Sequence, residues 1–83
     1  FKTFEGNMEI LQTTGNITLK SGKPFVHLHI NIADEECRSF GGHLNNAIIS
    51  ATFEGVMHVI DGEIDRKMND HIGITLMNVC GIK

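Results

Sequence analysis

Residues 25–32 alternate strictly between two kinds of side chain, and this pattern constrains the fold more than any other feature of the sequence. A period of two predicts a β-strand, because successive side chains of a strand point to opposite faces of the sheet. The apolar face would carry Val26, Leu28, Ile30 and Ile32. The opposite face would carry Phe25, His27, His29 and Asn31. The segment is expected to bury its apolar face and to present two imidazoles side by side on the other.

The rest of the sequence also reads as short strands, with no helical stripe bounded by caps. Further strands are predicted at residues 8–13, 17–20, 38–40, 47–60, 63–68 and 74–79. Turns, breaks or loops are predicted at residues 15–16, 21–24, 34–36, 41–42, 61–62 and 70–73. Both faces of the longest strand carry apolar residues, so cover on both sides is expected over part of its length. A buried helix over residues 45–60 competes with that strand, but the β-branched content favours the strand.

The chain has 83 residues, which is enough for one domain with a thin core. Help from a partner chain, a metal or a disulfide is therefore expected. The formal net charge is −3, and the seven Lys and Arg residues are scattered along the chain. Because nucleic-acid binding depends on neutralising phosphates, direct DNA binding by this chain is not expected.

Cys37 and Cys80 stand far apart without the spacing of metal ligands. A disulfide between them is possible, but two reduced cysteines in a cytoplasmic protein is the simpler interpretation. No apolar run reaches the roughly 18 residues that a membrane span needs, and a signal peptide is not expected.

The candidate chemical site comprises His27, His29 and His43. Because residues two apart on a strand share a face, His27 and His29 can point at one small volume. If the segment that contains Gly41, Gly42 and His43 pairs alongside, His43 completes a set of three imidazoles. Neutral imidazole suits zinc and similar divalent ions, and three protein ligands leave a fourth position for water. The two glycines would let the backbone approach the site closely.

The alternative interpretation is a polar, half-exposed histidine pair with no metal. Asn31 or Asn45 can serve as hydrogen-bond partners of the ligands, although a polar surface explains both equally well. Glu54 can act as a supporting group or general base, or can be an edge charge or an intersubunit pair. His58 and His71 are expected on the surface, and His58 is expected not to be a ligand.

The catalytic residues, if there are any, are unknown from the sequence. It contains no nucleophile elbow, phosphate-binding loop, dinucleotide fingerprint or zinc-protease helix motif. This absence favours a binding module over an enzyme.

Several segments resemble, in the same order, those of the PPC domain, the "plants and prokaryotes conserved" domain. They are Met-Glu-Ile-Leu at 8–11, Gly-Asn-Ile at 15–17, Gly-Lys-Pro-Phe-Val-His-Leu-His at 22–29, Phe-Gly-Gly-His-Leu at 40–44 and Ala-Thr-Phe-Glu at 51–54. Each segment is weak alone, but the ordered set covers residues 6–60. After residue 61 the resemblance fades.

The resemblance implies an α+β fold, mostly antiparallel β-sheet packed against helix, that assembles as a homotrimer. It also implies that His27, His29 and His43 match histidines that bind zinc in some prokaryotic members. In land plants the domain follows an AT-hook that binds the DNA minor groove, and the domain itself mediates association and partner binding.

Two departures from the family pattern matter. The sequence begins at Phe1, and the β-α-β portion that normally precedes residues 8–11 is expected to be missing. It also lacks the Arg-Gly-Arg-Pro of an AT-hook. We therefore expect residues 1–83 to be a single, partial domain.

Three functions are consistent with this sequence. The first is an oligomeric binding or regulatory module, DNA-associated through protein partners, with a three-histidine metal site. The second is a zinc-dependent enzyme of unknown substrate with an open coordination position. The third is a truncated copy with a structural role.

Overall fold

The computed structural model describes residues 1–78, and every regular element among them is a β-strand. The strands are β1 (Met8–Lys20), β2 (Lys23–Asp34), β3 (Ser39–His43), β4 (Arg66–Asn69) and β5 (Ile74–Met77). The first three form a sheet in the order β1-β2-β3, and β4 and β5 form a second sheet. The predicted antiparallel β-architecture is confirmed. The helical part of the α+β prediction is not confirmed, because residues 1–78 contain no helix.

The chain forms two compact units. The first contains Phe1–Asn16 and His27–Glu54, and so holds all three candidate histidines. The second contains Ile17–Val26 and the described residues from Gly55 onward, which include β4 and β5. Within the described part of the chain, no helix is long and apolar enough to cross a membrane.

A two-residue turn joins β1 to β2. Ser21 and Gly22 both have positive φ, at 53° and 76°. Positive φ at both central positions is the signature of a type I′ turn, whose twist matches that of the flanking strands. The predicted turn at residues 21–24 is therefore confirmed in its first half, and β2 already begins at Lys23.

The predicted break at residues 15–16 is wrong, because β1 continues through it without interruption. A Cβ at Gly15 would overlap the carbonyl oxygen of His27 on the neighbouring strand and lie 2.9 Å from the Cα of Leu28. Gly15 therefore marks a close approach of two backbones. A lone glycine inside a strand can indicate such an approach as well as a break in the strand.

Strand β3 pairs with β2 in antiparallel register and continues through the glycines that the sequence suggested would end it. Five residue pairs define this register: His29 with His43, Ile30 with Gly42, Asn31 with Gly41, Ile32 with Phe40, and Ala33 with Ser39. The backbone hydrogen bonds of the ladder, rather than side chains, hold β3 in place at its glycines.

The long strand predicted for residues 47–60 is wrong, and the competing helix over 45–60 does not form either. These residues follow β3 without regular structure, and all of them are exposed. An isolated strand leaves its backbone donors and acceptors unpaired, so an alternating pattern yields a strand only where a neighbour supplies a ladder. No described strand pairs with this segment.

The predicted strands at 63–68 and 74–79 are confirmed in part as β4 and β5, which pair from Arg66 with Met77 to Asn69 with Ile74. Asn69 closes the connection, since its Oδ1 accepts hydrogen bonds from the backbone N–H groups of His71 and Ile72 at 3.0 and 3.3 Å. The end of the strand predicted for residues 74–79 lies outside the described residues, at residue 79.

Burial is slight in the described residues. No hydrophobic side chain among them is buried, and the two buried residues are Thr18 and Arg66. In the second unit, Arg66 Nε donates to Thr18 Oγ1 at 2.7 Å, and the guanidinium lies 5.0 Å from the centre of the Phe25 ring. A polar contact, not an apolar core, is therefore the most enclosed point of this unit.

Candidate metal centre

Three histidines from two neighbouring strands lie together in the first unit. His27 and His29 are two residues apart on β2 and so share a face of the sheet. His43 ends β3 and pairs directly with His29. The N–H of Leu44 donates to the carbonyl of Leu28 at 2.9 Å, which makes the adjacent pair, His29 with His43, a non-hydrogen-bonded one. Side chains are closest together at such pairs, and this brings the two imidazoles into contact.

The distances confirm the convergence predicted for these three side chains. One nitrogen from each of the three imidazoles lies within 4.8 Å of the other two. The ring centres of His29 and His43 are 4.3 Å apart, and that of His27 is 5.2 Å from each. His27 is half-buried and the other two are exposed, so the cluster opens to solvent on one side.

The three imidazoles could hold a metal ion, and imidazole nitrogen is a ligand that zinc accepts. Three nitrogens bound to one zinc at about 2.0–2.1 Å would lie about 3.3 Å apart. The nitrogens lie within 4.8 Å of one another, and small side-chain rotations can close the difference because His29 and His43 are exposed. The cluster of potential ligands contains no thiol or carboxylate. Three neutral imidazoles would not reduce the positive charge of the ion. They would also leave one coordination position open to water or another ligand.

The loop between β2 and β3 fixes the register that brings His43 opposite His29. Asp34 Oδ1 accepts hydrogen bonds from the N–H groups of Glu36 and Arg38 at 3.0 and 2.9 Å, and Oδ2 accepts from Arg38 Nε at 2.8 Å. Cys37 has a φ of 63°, as in a three-residue hairpin loop. A slip of one residue would turn His43 to the other face of the sheet, so this loop helps to assemble the site.

The same contacts lower the pKa of Asp34. The largest cause is the hydrogen bond from the backbone N–H of Arg38, and the Arg38 side chain and the backbone of Glu36 add to it. Partial burial of the carboxylate acts in the opposite direction without cancelling these effects. The carboxylate is therefore stabilised in its charged form, as expected of a group that closes a loop by accepting hydrogen bonds.

Of the two glycines expected to shape the site, only Gly41 has a close neighbour. A Cβ at Gly41 would lie 2.6 Å from Nδ2 of Asn31, its partner across the strands, whereas a Cβ at Gly42 would meet nothing within 4 Å. The carboxamide of Asn31 thus lies over Gly41, on the face that carries His29 and His43.

The other candidate residues are not part of the cluster. Glu54 is exposed and lies outside any strand, in the segment where a strand was predicted. His58 and His71 are exposed, as predicted, and belong to no group of three potential ligands among the described residues. Asn45 is exposed just beyond β3.

Gly15 contributes to the site in a way that its sequence pattern did not predict, because its close approach to His27 fixes β1 against the strand that carries His27 and His29. The signal was present as a lone glycine inside a strand pattern. Cys37 is exposed with a free thiol, and Cys80, its proposed disulfide partner, lies outside the described residues.

A family comparison matches residues 1–61 to the Plants and Prokaryotes Conserved (PCC) domain. The chain belongs to this family. The predicted resemblance to the PPC domain, the same family under another abbreviation, is confirmed. The matched range contains all three histidines together with Asn31 and Gly41, and ends before β4. Comparisons with curated proteins and with solved structures gave no match.

Proposed function

We propose that this PCC domain is an oligomeric binding module that holds one divalent metal ion, zinc in the first instance, on His27, His29 and His43. The observation that carries the proposal is the convergence of three imidazole nitrogens within 4.8 Å on one face of the sheet. Zinc is bound well by neutral imidazole, and a cluster without thiolate or carboxylate argues against ions that demand those ligands.

Metal analysis of the purified protein tests the proposal. We expect about one equivalent of zinc per chain after dialysis against the metal, and none in the double variant His27→Ala/His29→Ala. The matched control is His58→Ala/His71→Ala, which removes two histidines outside the cluster and should leave the zinc content unchanged. If the unsubstituted protein retains no zinc, the metal proposal is wrong and a structural role becomes the better interpretation.

Assembly into a homotrimer is the second part of the proposal. Its support is the large apolar surface that the described residues leave in water: Ile48 and Val56 are each 93% exposed, and Val59 is 89% exposed. Large exposed apolar side chains in a chain whose described residues bury no hydrophobic side chain support cover by a partner. Family members are expected to form trimers, and a partner copy would supply the missing cover.

Any association with DNA would pass through protein partners. The net charge of −3 and the scattered basic residues support this view, because no basic stripe is available to neutralise phosphates. A shift assay with duplex DNA at low salt should show no binding by this chain alone, and salt-sensitive binding would contradict the proposal.

A zinc-dependent enzyme is the second candidate, and the open side of the cluster favours it. With three protein ligands, a bound zinc would keep a position for water, and zinc lowers the pKa of such a water enough to make it a nucleophile. Hydrolysis of an activated ester that requires zinc and is lost in His29→Ala would favour this candidate over a purely binding role.

A further inference from the structure

The carboxamide of Asn31 lies beside the histidine cluster and has no hydrogen-bond partner within residues 1–78. It sits on the face of β2 that carries His27 and His29, two residues beyond His29. It lies over Gly41, where a Cβ would come within 2.6 Å of Nδ2 and 3.2 Å of Cγ. The absence of a side chain at Gly41 is therefore what gives the Asn31 amide its place on this face.

The charge of the cluster indicates what an open metal position would attract. Three imidazoles are neutral as ligands, and no carboxylate belongs to the cluster, so a bound divalent ion would keep its full positive charge. The acidic side chains of Asp34, Glu35 and Glu36 follow at the far end of β2, in the loop to β3. The cluster supplies no anion of its own, and an exogenous anion would complete the coordination.

We propose that the site binds a small carboxylate, with one oxygen on the metal held by the three histidines and the other accepting a hydrogen bond from Asn31 Nδ2. This inference rests on the metal site proposed above. His29 and Asn31 are two residues apart on β2, so their Cα atoms are separated by about 6.8 Å. A carboxylate can cover a distance of this size, because it adds its own length to a metal–oxygen bond of about 2 Å and a hydrogen bond of about 2.9 Å.

A carboxylate suits this arrangement better than a phosphate. It has two oxygens, one for the metal and one for the amide of Asn31. A phosphate would present additional charged oxygens, which bind best where several donors or basic side chains converge. Within the first unit, the face of β2 and β3 that carries the cluster offers Asn31 and Ser39 but no Lys or Arg.

Cobalt(II) titrations test the proposal, because the visible spectrum of cobalt reports both metal binding and exchange of its open ligand. The protein is first loaded with cobalt and then titrated with acetate or with inorganic phosphate. We expect acetate to change the spectrum at lower concentration than phosphate. Asn31→Ala should weaken acetate binding about tenfold to a hundredfold, the effect of losing one hydrogen bond to a charged group, with little effect on cobalt affinity.

Two variants sharpen the test. Asn46→Ala removes an exposed amide in the same unit and should leave acetate binding unchanged. Asn31→Asp places a carboxylate at the same position and should weaken acetate binding more than Asn31→Ala does. Equal acetate affinity in the unsubstituted protein and Asn31→Ala, or no spectral response to acetate, would overturn the carboxylate inference alone. Failure to bind cobalt at all would overturn the metal site and this inference with it.

Discussion

Gly15 and His27 lie backbone to backbone across β1 and β2, so close that a Cβ on Gly15 would overlap the His27 carbonyl oxygen. Substitution of Gly15 by Ala must therefore push the two strands apart. We expect Gly15→Ala to lower the free energy of unfolding by about 1–3 kcal/mol, the usual cost of overpacking, and to weaken zinc binding because β2 carries two of the proposed ligands.

Gly42→Ala is the matched control for this prediction. A Cβ at Gly42 meets nothing within 4 Å, although the residue lies next to His43 in sequence. Denaturant titration and zinc titration of both variants provide the measurement. Equal effects of the two substitutions would show that the close approach at Gly15 has no special role.

Acid should weaken the loop between β2 and β3 through Asp34. The pKa of Asp34 is lower in the folded chain than its usual value of 3.8, chiefly because the backbone N–H of Arg38 donates to it. A lowered folded pKa means that the carboxylate stabilises the fold fully above pH 3.8, and that this contribution is lost as the pH falls toward the folded pKa. Asp34→Asn should therefore be less stable than the unsubstituted protein at neutral pH, and the difference should shrink in acid.

The measurement is the free energy of unfolding as a function of pH for the two proteins. Glu35→Gln is the control, since Glu35 lies in the same loop but accepts its side-chain hydrogen bond from Asn7 instead. If the free energies of unfolding of Asp34→Asn and the unsubstituted protein differ by the same amount from pH 7 to pH 2.5, the Asp34 carboxylate does not stabilise the loop through its charge.

Thr18 and Arg66 form the buried polar contact of the second unit, at 2.7 Å. Thr18→Val keeps the shape of the side chain but leaves Arg66 Nε without this acceptor. We expect a loss of about 1–2 kcal/mol in the free energy of unfolding, the cost of a lost buried hydrogen bond. Thr14 lies on the same strand with an exposed side chain, so Thr14→Val should leave the free energy of unfolding nearly unchanged.

The proposed trimer should depend on the exposed apolar residues of the segment after β3. Ile48→Asp and Val56→Asp place a charge at side chains that are each 93% exposed in the single chain. If partner copies cover them, each substitution buries an unpaired charge in the interface and should shift the protein toward monomer. Asn46→Asp, in the same segment but polar already, should leave the assembly intact.

Sedimentation equilibrium measures these states directly. The unsubstituted protein is expected at three times the mass of one chain. A monomer at micromolar concentration for the unsubstituted protein would argue against the trimer.

Local patterns predicted the site better than they predicted the extent of the strands. The alternation in residues 25–32 depends only on the two faces of one strand, and β2 contains it entirely. The pairing of His43 with His29 required only that a short strand lie alongside, which the hairpin loop at Asp34 ensures.

The long strand expected at 47–60 did not form, because strand formation depends on a neighbouring ladder that no pattern within the segment can supply. The break predicted at Gly15 is wrong for a related reason. A lone glycine predicts either a break or a close approach, and the choice depends on the strand that lies beside it.

X-ray absorption at the zinc edge of the zinc-loaded protein tests the central claim most directly, because it counts and identifies the ligands of the bound ion. The account predicts three imidazole nitrogens at about 2.0–2.1 Å, with one further oxygen ligand. A shell with fewer than two imidazoles, or one with sulfur at about 2.3 Å from the exposed Cys37, would contradict it.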